Sequence, residues 1–213
     1  MLQEYFRSFN PTSPGYLFMW ALLAMFIWMA AISLERFIAI WGRANVNAPR
    51  FMAEVRKMIQ AGDYRKAISL CRAAGNRALP RVVLAAIEEA QKHELIDYRA
   101  VQNAVDESSL EVIPELQRRT PYLAMIGNVA TLTGLMGTIF GLILSFRAAG
   151  SAGAGTGELA QGISVAMLTT LTGLLVAIPA IVAHSVITAK TNRIIEQIDE
   201  HSVKLINLLT GGA

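Results

Sequence analysis

The sequence predicts an all-α integral membrane protein with three transmembrane helices and long cytoplasmic helical extensions, and three observations carry that prediction. Of 213 residues, 54% are hydrophobic and only 16% charged, where soluble globular domains carry near 25% charged residues. The charges leave uncharged runs of 27 residues between Arg7 and Glu35, 27 between Arg119 and Arg147, and 31 between Glu158 and Lys190. A bilayer core of about 30 Å needs roughly 20 helical residues, so each run can span it. Burying three such helices in a soluble protein would take a far larger chain.

Lys and Arg placement sets the orientation. Only Arg7 and Arg147 lie on the side of the N-terminus and the second-to-third loop, while the other seventeen of nineteen fall in 36–119 and 190–213. The positive-inside rule makes those two regions cytoplasmic. The segments are then a periplasmic N-terminus (1–15), a first span (16–34), a cytoplasmic helical segment (35–119), a second span (120–146), a periplasmic loop (147–158), a third span (159–189) and a cytoplasmic C-terminal helix (190–213). The expected location is a bacterial inner membrane, the outer side being the periplasm if the source is Gram-negative. The first run is too long for a signal-peptide core and ends in Glu35-Arg36 rather than a small-residue cleavage site.

In chain order, the first span is bulky and aromatic, with Trp20, Phe26 and Trp28 and an interfacial Trp41, a composition suited to facing lipid. In the cytoplasmic segment Pro49 opens a helix ending near Gly62, Asp63 caps another through Ala74 that Gly75 closes, and a third covers Pro80 to Lys92. A fourth begins after Asp97, with Val101, Val105 and Leu110 as its apolar positions. From there the helical pattern runs into the second span, bent by Pro114 and Pro121. Ser151 to Gly157 is a Gly/Ala/Ser/Thr loop, and the third span's pattern continues through Ile194, Ile198 and Leu205 to about Leu209.

Nothing in the sequence points to an enzyme. There is no phosphate-binding loop, paired-cysteine metal site or nucleophile motif, and His93, His184 and His201 are scattered. No cofactor and no metal are expected. The net charge of +3 reflects topology rather than a clustered basic face, so no nucleic-acid partner is expected. Cys71, the single cysteine, reads as a buried inert thiol. No Asp, Glu, Lys or Arg lies within any span. If this chain moves an ion, another subunit must supply the charge.

The spans do carry stripes of small and hydroxyl residues. On the second, Asn128, Thr131, Thr138 and Ser145 fall within an arc of about 100°, bordered at heptad spacing by Gly127, Gly134 and Gly141. On the third, Gly162, Ala166, Thr169, Thr170, Gly173 and Ala177 share a broad face, with Pro179 beyond. Helix packing explains most of these positions, because small residues let membrane helices approach closely. Thr138 and Thr170 stand out by depth. They lie about 12 and 16 Å from the outer ends of their runs at 1.5 Å per residue, so two hydroxyls meet at nearly one level.

The stretch from Ile126-Gly-Asn-Val-Ala-Thr to Phe140-Gly141, followed by Gly162-Ile-Ser through Thr170 and Gly173-Leu-Leu-Val-Ala-Ile-Pro179, resembles the MotA/TolQ/ExbB family, nearest its ExbB and TolQ branches. The resemblance is sharpest over 122–188 and looser in the cytoplasmic segment, and the fourth span usual in MotA-type relatives is absent. It implies a homopentamer around a two-copy, single-span ExbD/TolR-like partner whose membrane Asp carries the ion, with a TonB/TolA-like protein as a further partner. Thr138 and Thr170 match the family's pore-lining threonines.

Two departures bear on the ion. Many ExbB and TolQ proteins carry a Glu five positions before the third-span threonine, where this chain has Val165. Thr169 stands where proton-driven members usually have Ala, and paired threonines resemble sodium-driven relatives. The implied ion is H+, with Na+ near Thr169 and Thr170 the alternative. The expected function is an ion-driven motor subunit working on a cell-envelope process such as TonB-type import; the rival is a passive scaffold anchoring a cytoplasmic helical module.

Overall fold

The computed structural model describes residues 5, 8–11, 13–44, 46–92, 97–150 and 156–211. Their regular structure is helical, and three of the helices are long and apolar enough to cross a membrane. The described residues fall into two compact units, those of Met1–Glu35 with Arg119–Ser185, and those of Arg36–Arg118 with Val186–Ala213.

The first unit is built on α1 (Tyr16–Phe37), α6 (Thr120–Gly150) and the first half of α7 (Thr156–Leu209). Helix α1 turns its bulky residues outward, with Leu17, Trp20, Ile27, Trp28 and Leu34 all more than half exposed, while Met19 and Leu22 are buried. An outward apolar face of this extent suits lipid contact. Trp20 keeps its indole N–H satisfied by donating to the Phe9 carbonyl at 3.1 Å, and Phe18 packs on Phe140 of α6.

The second unit holds α2 (Ala48–Gln60), α3 (Tyr64–Ala73), α4 (Ala78–Lys92), α5 (Tyr98–Gln117) and the rest of α7. Its punctuation follows the sequence. Pro49 sits in the first turn of α2, Gly62 and Gly75 take positive φ of 76° and 70° after α2 and α3, and the Asp97 carboxylate accepts from the Arg99 N–H at 2.9 Å to cap α5. The core is aliphatic, including Val55, Val82, Val83, Ile87, Val101 and Ile198. Arg81 of α4 reaches Glu115 and Glu111 of α5 at 2.7 and 3.5 Å.

Two expectations need revision. The helical pattern does not run unbroken through both prolines: Pro114 stays inside α5, but α5 ends at Gln117 and Arg119 takes a left-handed φ of 64°. Pro121 has no N–H for the Gln117 carbonyl and its ring would crowd that carbonyl, so the chain breaks and restarts at Thr120. Leu110 does not join the buried stripe. It is 76% exposed while Val112 and Leu116 are buried, because at 100° per residue Leu110 sits about 180° from Val101 and Val112 only about 20°. Helix α1 contains the expected first span (16–34), runs on to Phe37 and continues as a π-helical stretch, Ile38–Ala44. Of the Ser151–Gly157 loop, 151–155 lie outside the described residues, as does His93, while Thr156 and Gly157 already belong to α7.

Candidate functional site

Helices α6 and α7 pack antiparallel through their small residues. A Cβ at Gly127 would meet Ile181, one at Gly134 would lie 3.1 Å from the Thr169 carbonyl oxygen, and one at Gly141 would lie 2.7 Å from the Gly162 carbonyl oxygen. From the other side, a Cβ at Gly173 would lie 2.8 Å from the Ala130 carbonyl oxygen. Backbones this close leave no room for side chains, which is why the sequence places glycine there. Near the loop end a hydroxyl ties the two helices: Ser145 is buried, with its Oγ 3.1 Å from the Gly141 carbonyl and 3.2 Å from the Leu159 carbonyl.

The paired threonines have different surroundings. Thr169 is 1% exposed, wedged where a Cβ at Gly137 would come within 2.5 Å of it, and its hydroxyl lies 3.0 Å from both the Val165 and Ala166 carbonyls. Thr170, 100° further round α7, is half-buried and donates to the Gly134 carbonyl across the interface at 3.3 Å. In an α-helix that carbonyl also accepts from the N–H of residue 138. Thr170 therefore reaches the turn that carries Thr138. Thr138 is also half-buried and donates to the Leu135 carbonyl at 2.6 Å. The glycine contacts pair Gly137 with Thr169, a register that puts Thr138 and Thr170 within about 4 Å of one level at 1.5 Å per residue.

The remaining predicted positions divide by face. Asn128 and Thr131 are exposed, Thr131 donating to the Gly127 carbonyl at 3.0 Å, and Pro179 is exposed. Gly134, Gly141 and Gly173 are buried in the α6–α7 contact. Val165 is buried, and a Cβ at Gly15 would come within 2.6 Å of it. One hydroxyl escaped the sequence reading. Thr172 is 4% exposed, donates to the Leu168 carbonyl at 2.8 Å and lies 3.6 Å from the Met19 sulfur of α1. Nothing in its sequence context separates it from its threonine neighbours.

Thr138 and Thr170 each place the hydroxyl proton on a backbone carbonyl, which leaves the oxygen lone pairs available as acceptors. Such an oxygen can accept from a protonated acid or coordinate a cation, and on rotation the hydroxyl can donate to a carboxylate. Among the described residues no group of three or more His, Cys, Asp or Glu is placed to hold a metal ion.

The fold and this hydroxyl-bearing helix pair define a three-span helical membrane protein whose spans carry no charge. The MotA/TolQ/ExbB proton channel family profile matches residues 74–200. A putative biopolymer transport protein ExbB homolog of Methanothermobacter thermautotrophicus is 30% identical over 207 residues, covering 97% of this chain and 68% of the relative. TolQ of the Tol-Pal system of Pseudomonas aeruginosa is 26% identical over 212 residues, covering 87% of this chain and 90% of that protein. Among solved structures, C. jejuni MotAB superimposes with a TM-score of 0.67 at 15% identity, over 94% of this chain and 78% of the matched chain. The chain belongs to the MotA/TolQ/ExbB proton channel family.

Proposed function

We propose that this chain is the ion-path subunit of an envelope motor. It assembles as a homopentamer around an ExbD/TolR-like dimer, in the inner membrane with its N-terminus periplasmic and its C-terminus cytoplasmic, and turns a transmembrane proton gradient into mechanical work. The observation that carries this reading is the pair Thr138 and Thr170, near one level, half-buried and each with its hydroxyl proton on a backbone carbonyl, in spans without a single Asp, Glu, Lys or Arg. A charge at mid-bilayer costs roughly 2.5–3.5 kcal/mol on insertion scales, and the membrane potential supplies about 2.3 kcal/mol per charge per 100 mV. A partner carboxylate alternating between protonated and ionised forms therefore needs polar groups at its depth. Hydroxyls serve both forms, accepting from the acid and donating to the anion.

Thr169 fits less well as an ion ligand, because its oxygen is enclosed in the α6–α7 contact and already lies against two carbonyls. That placement favours the proton over sodium. Family membership, with relatives named as a biopolymer transport protein ExbB homolog and as TolQ of the Tol-Pal system, supports an envelope load.

The test is ion flux through the co-purified complex in liposomes. Thr170→Val keeps the shape and removes the hydroxyl, so a charge loses a hydrogen bond worth about 1.5–3 kcal/mol and flux falls by about tenfold or more. Thr170→Ser should retain flux. Thr133→Val, whose hydroxyl bonds the Val129 carbonyl on the other side of α6, should be mild. Equal effects of Thr170→Val and Thr133→Val would make the stripe a packing device and the chain a passive scaffold.

A further inference from the structure

Between α2 and the last turns of α7 the second unit carries a groove of about 340 Å³. Its α2 wall comes from one helix face, since Met52, Arg56 and Gln60 recur at fourth positions and Ala53 and Lys57 lie beside them. The α7 wall is His201, Lys204, Leu205 and Leu208. The floor is apolar and the rim is basic. Lys204 is ion-paired with Glu200 on its own helix, but neither Arg56 nor Lys57 has a salt bridge among the described residues. Burial, with Lys204 and Arg56 adding to it, holds His201 below the usual histidine range against the opposing pull of Glu200, so at neutral pH the basic rim is Arg56, Lys57 and Lys204.

The same unit presents the complementary shape. On α5 the face opposite the buried Val101–Val112 stripe carries Leu110 at 76% exposure, flanked by exposed Asp106 and Glu107. Neither acid has a salt bridge among the described residues, and Asp106 accepts only from Gln102 one turn away. An isolated exposed leucine ringed by acids is what a helix presents to an apolar groove with a basic rim.

We infer that the α5 face of a second copy of this chain docks in this groove, with its Leu110 on the Met52–Leu205–Leu208 floor and its Asp106 and Glu107 against Arg56 and Lys57. Groove and ridge are different surfaces of one chain, so the contact is head-to-tail and propagates from copy to copy until a ring closes. This inference rests on the oligomeric reading proposed above and names the contact that would build it. Charge matching commits the groove to an acidic helix, and the chain itself supplies one with the required leucine.

The experiment is cysteine cross-linking of the full chain with its partner in native membranes. Met52→Cys and Leu110→Cys together, under mild oxidation, should give a ladder of multimers, and either substitution alone should not. Arg56→Glu with Lys57→Glu should cut the ladder at least fivefold, and adding Asp106→Lys with Glu107→Lys should restore it. Native mass spectrometry of the same material separates the outcomes. An oligomer without the ladder would overturn this contact and leave the ring reading standing. A monomer would overturn both. An adduct with a different protein would assign the groove to another occupant, and a ladder indifferent to the charge swap would overturn the pairing of Asp106 and Glu107 with Arg56 and Lys57.

Discussion

Replacing Gly141 with Ala tests the packing that holds the hydroxyl pair in place. The new methyl would lie 2.7 Å from the Gly162 carbonyl oxygen, 2.8 Å from the Ala166 nitrogen and 2.9 Å from the Ala166 Cβ. The first two neighbours are backbone, and the third is fixed to it, so none can rotate aside. Reaching an ordinary contact near 3.5 Å means parting the helices by about 0.8 Å, a gap that forfeits a quarter to a half of the dispersion energy of each contact along the seam. Overpacking of this kind costs about 1–3 kcal/mol, offset by up to about 1 kcal/mol from the better helix propensity of alanine. With the full offset the net loss reaches about 2 kcal/mol at most, or up to roughly 8 °C in Tm for a chain of this size. Thermal unfolding in detergent, followed by tryptophan fluorescence, reads it. Gly157→Ala is the control, since a Cβ there meets nothing within 4 Å, and it should not lower Tm. If both variants melt together, the close approach of α6 and α7 is wrong, and the register that brings Thr138 to Thr170 falls with it.

Two further predictions concern the second unit. Cys71 is buried and its thiol is pushed up to about 12 by burial, with Glu88 adding to the effect. The thiolate is the reactive form, so maleimide at pH 7.5 should label it only after denaturation, and rapid labelling of the folded protein would contradict the packing of α3. His201 has a folded pKa depressed chiefly by burial, so the unfolded chain binds the proton more readily. Its contribution to stability is present above the unfolded value near 6.5 and is lost as pH falls through the lower folded value. Urea midpoints measured from pH 7 to 5 should decline, and His201→Gln should flatten that decline; an unchanged slope would remove His201 as its source.

The legible parts of the fold were those written in local chemistry. Gly62, Gly75, Asp97 and Pro49 punctuate α2, α3 and α5 where expected because each acts through its own backbone. The three spans were legible because uninterrupted apolar length has few other uses. What failed was decided beyond a single residue's neighbours. Leu110 matches an apolar pattern if spacing is read loosely, yet the buried stripe had already shifted to Val112 and Leu116. The break at Arg119 comes from Pro121 acting back on the Gln117 carbonyl, and whether a proline bends or ends a helix depends on whether the surrounding packing holds the chain straight. The π-helical stretch at Ile38–Ala44 has no signature in its sequence. For the candidate site, the small-residue stripe was visible, but the division of labour within it was not. Thr169, Thr170 and Thr172 are chemically identical, and only the direction in which each faces separates them.

That direction has a consequence for the ion path. Thr169 and Val165 are one turn apart on α7, and both are buried within the first unit, Thr169 against Gly137 and Val165 against Gly15. A carboxylate at position 165 of this chain would enter that packing beside the start of α1, with Gly15 too close to admit it without movement and no cation in any span to pair with it. The energetic penalty for an unpaired buried charge then falls on the fold rather than serving transport. Val165 and Gly15 are therefore matched to each other, and so are Thr169 and Gly137. With those positions occupied by packing, the ion path proposed above is left to the half-buried Thr138 and Thr170 rather than to Thr169.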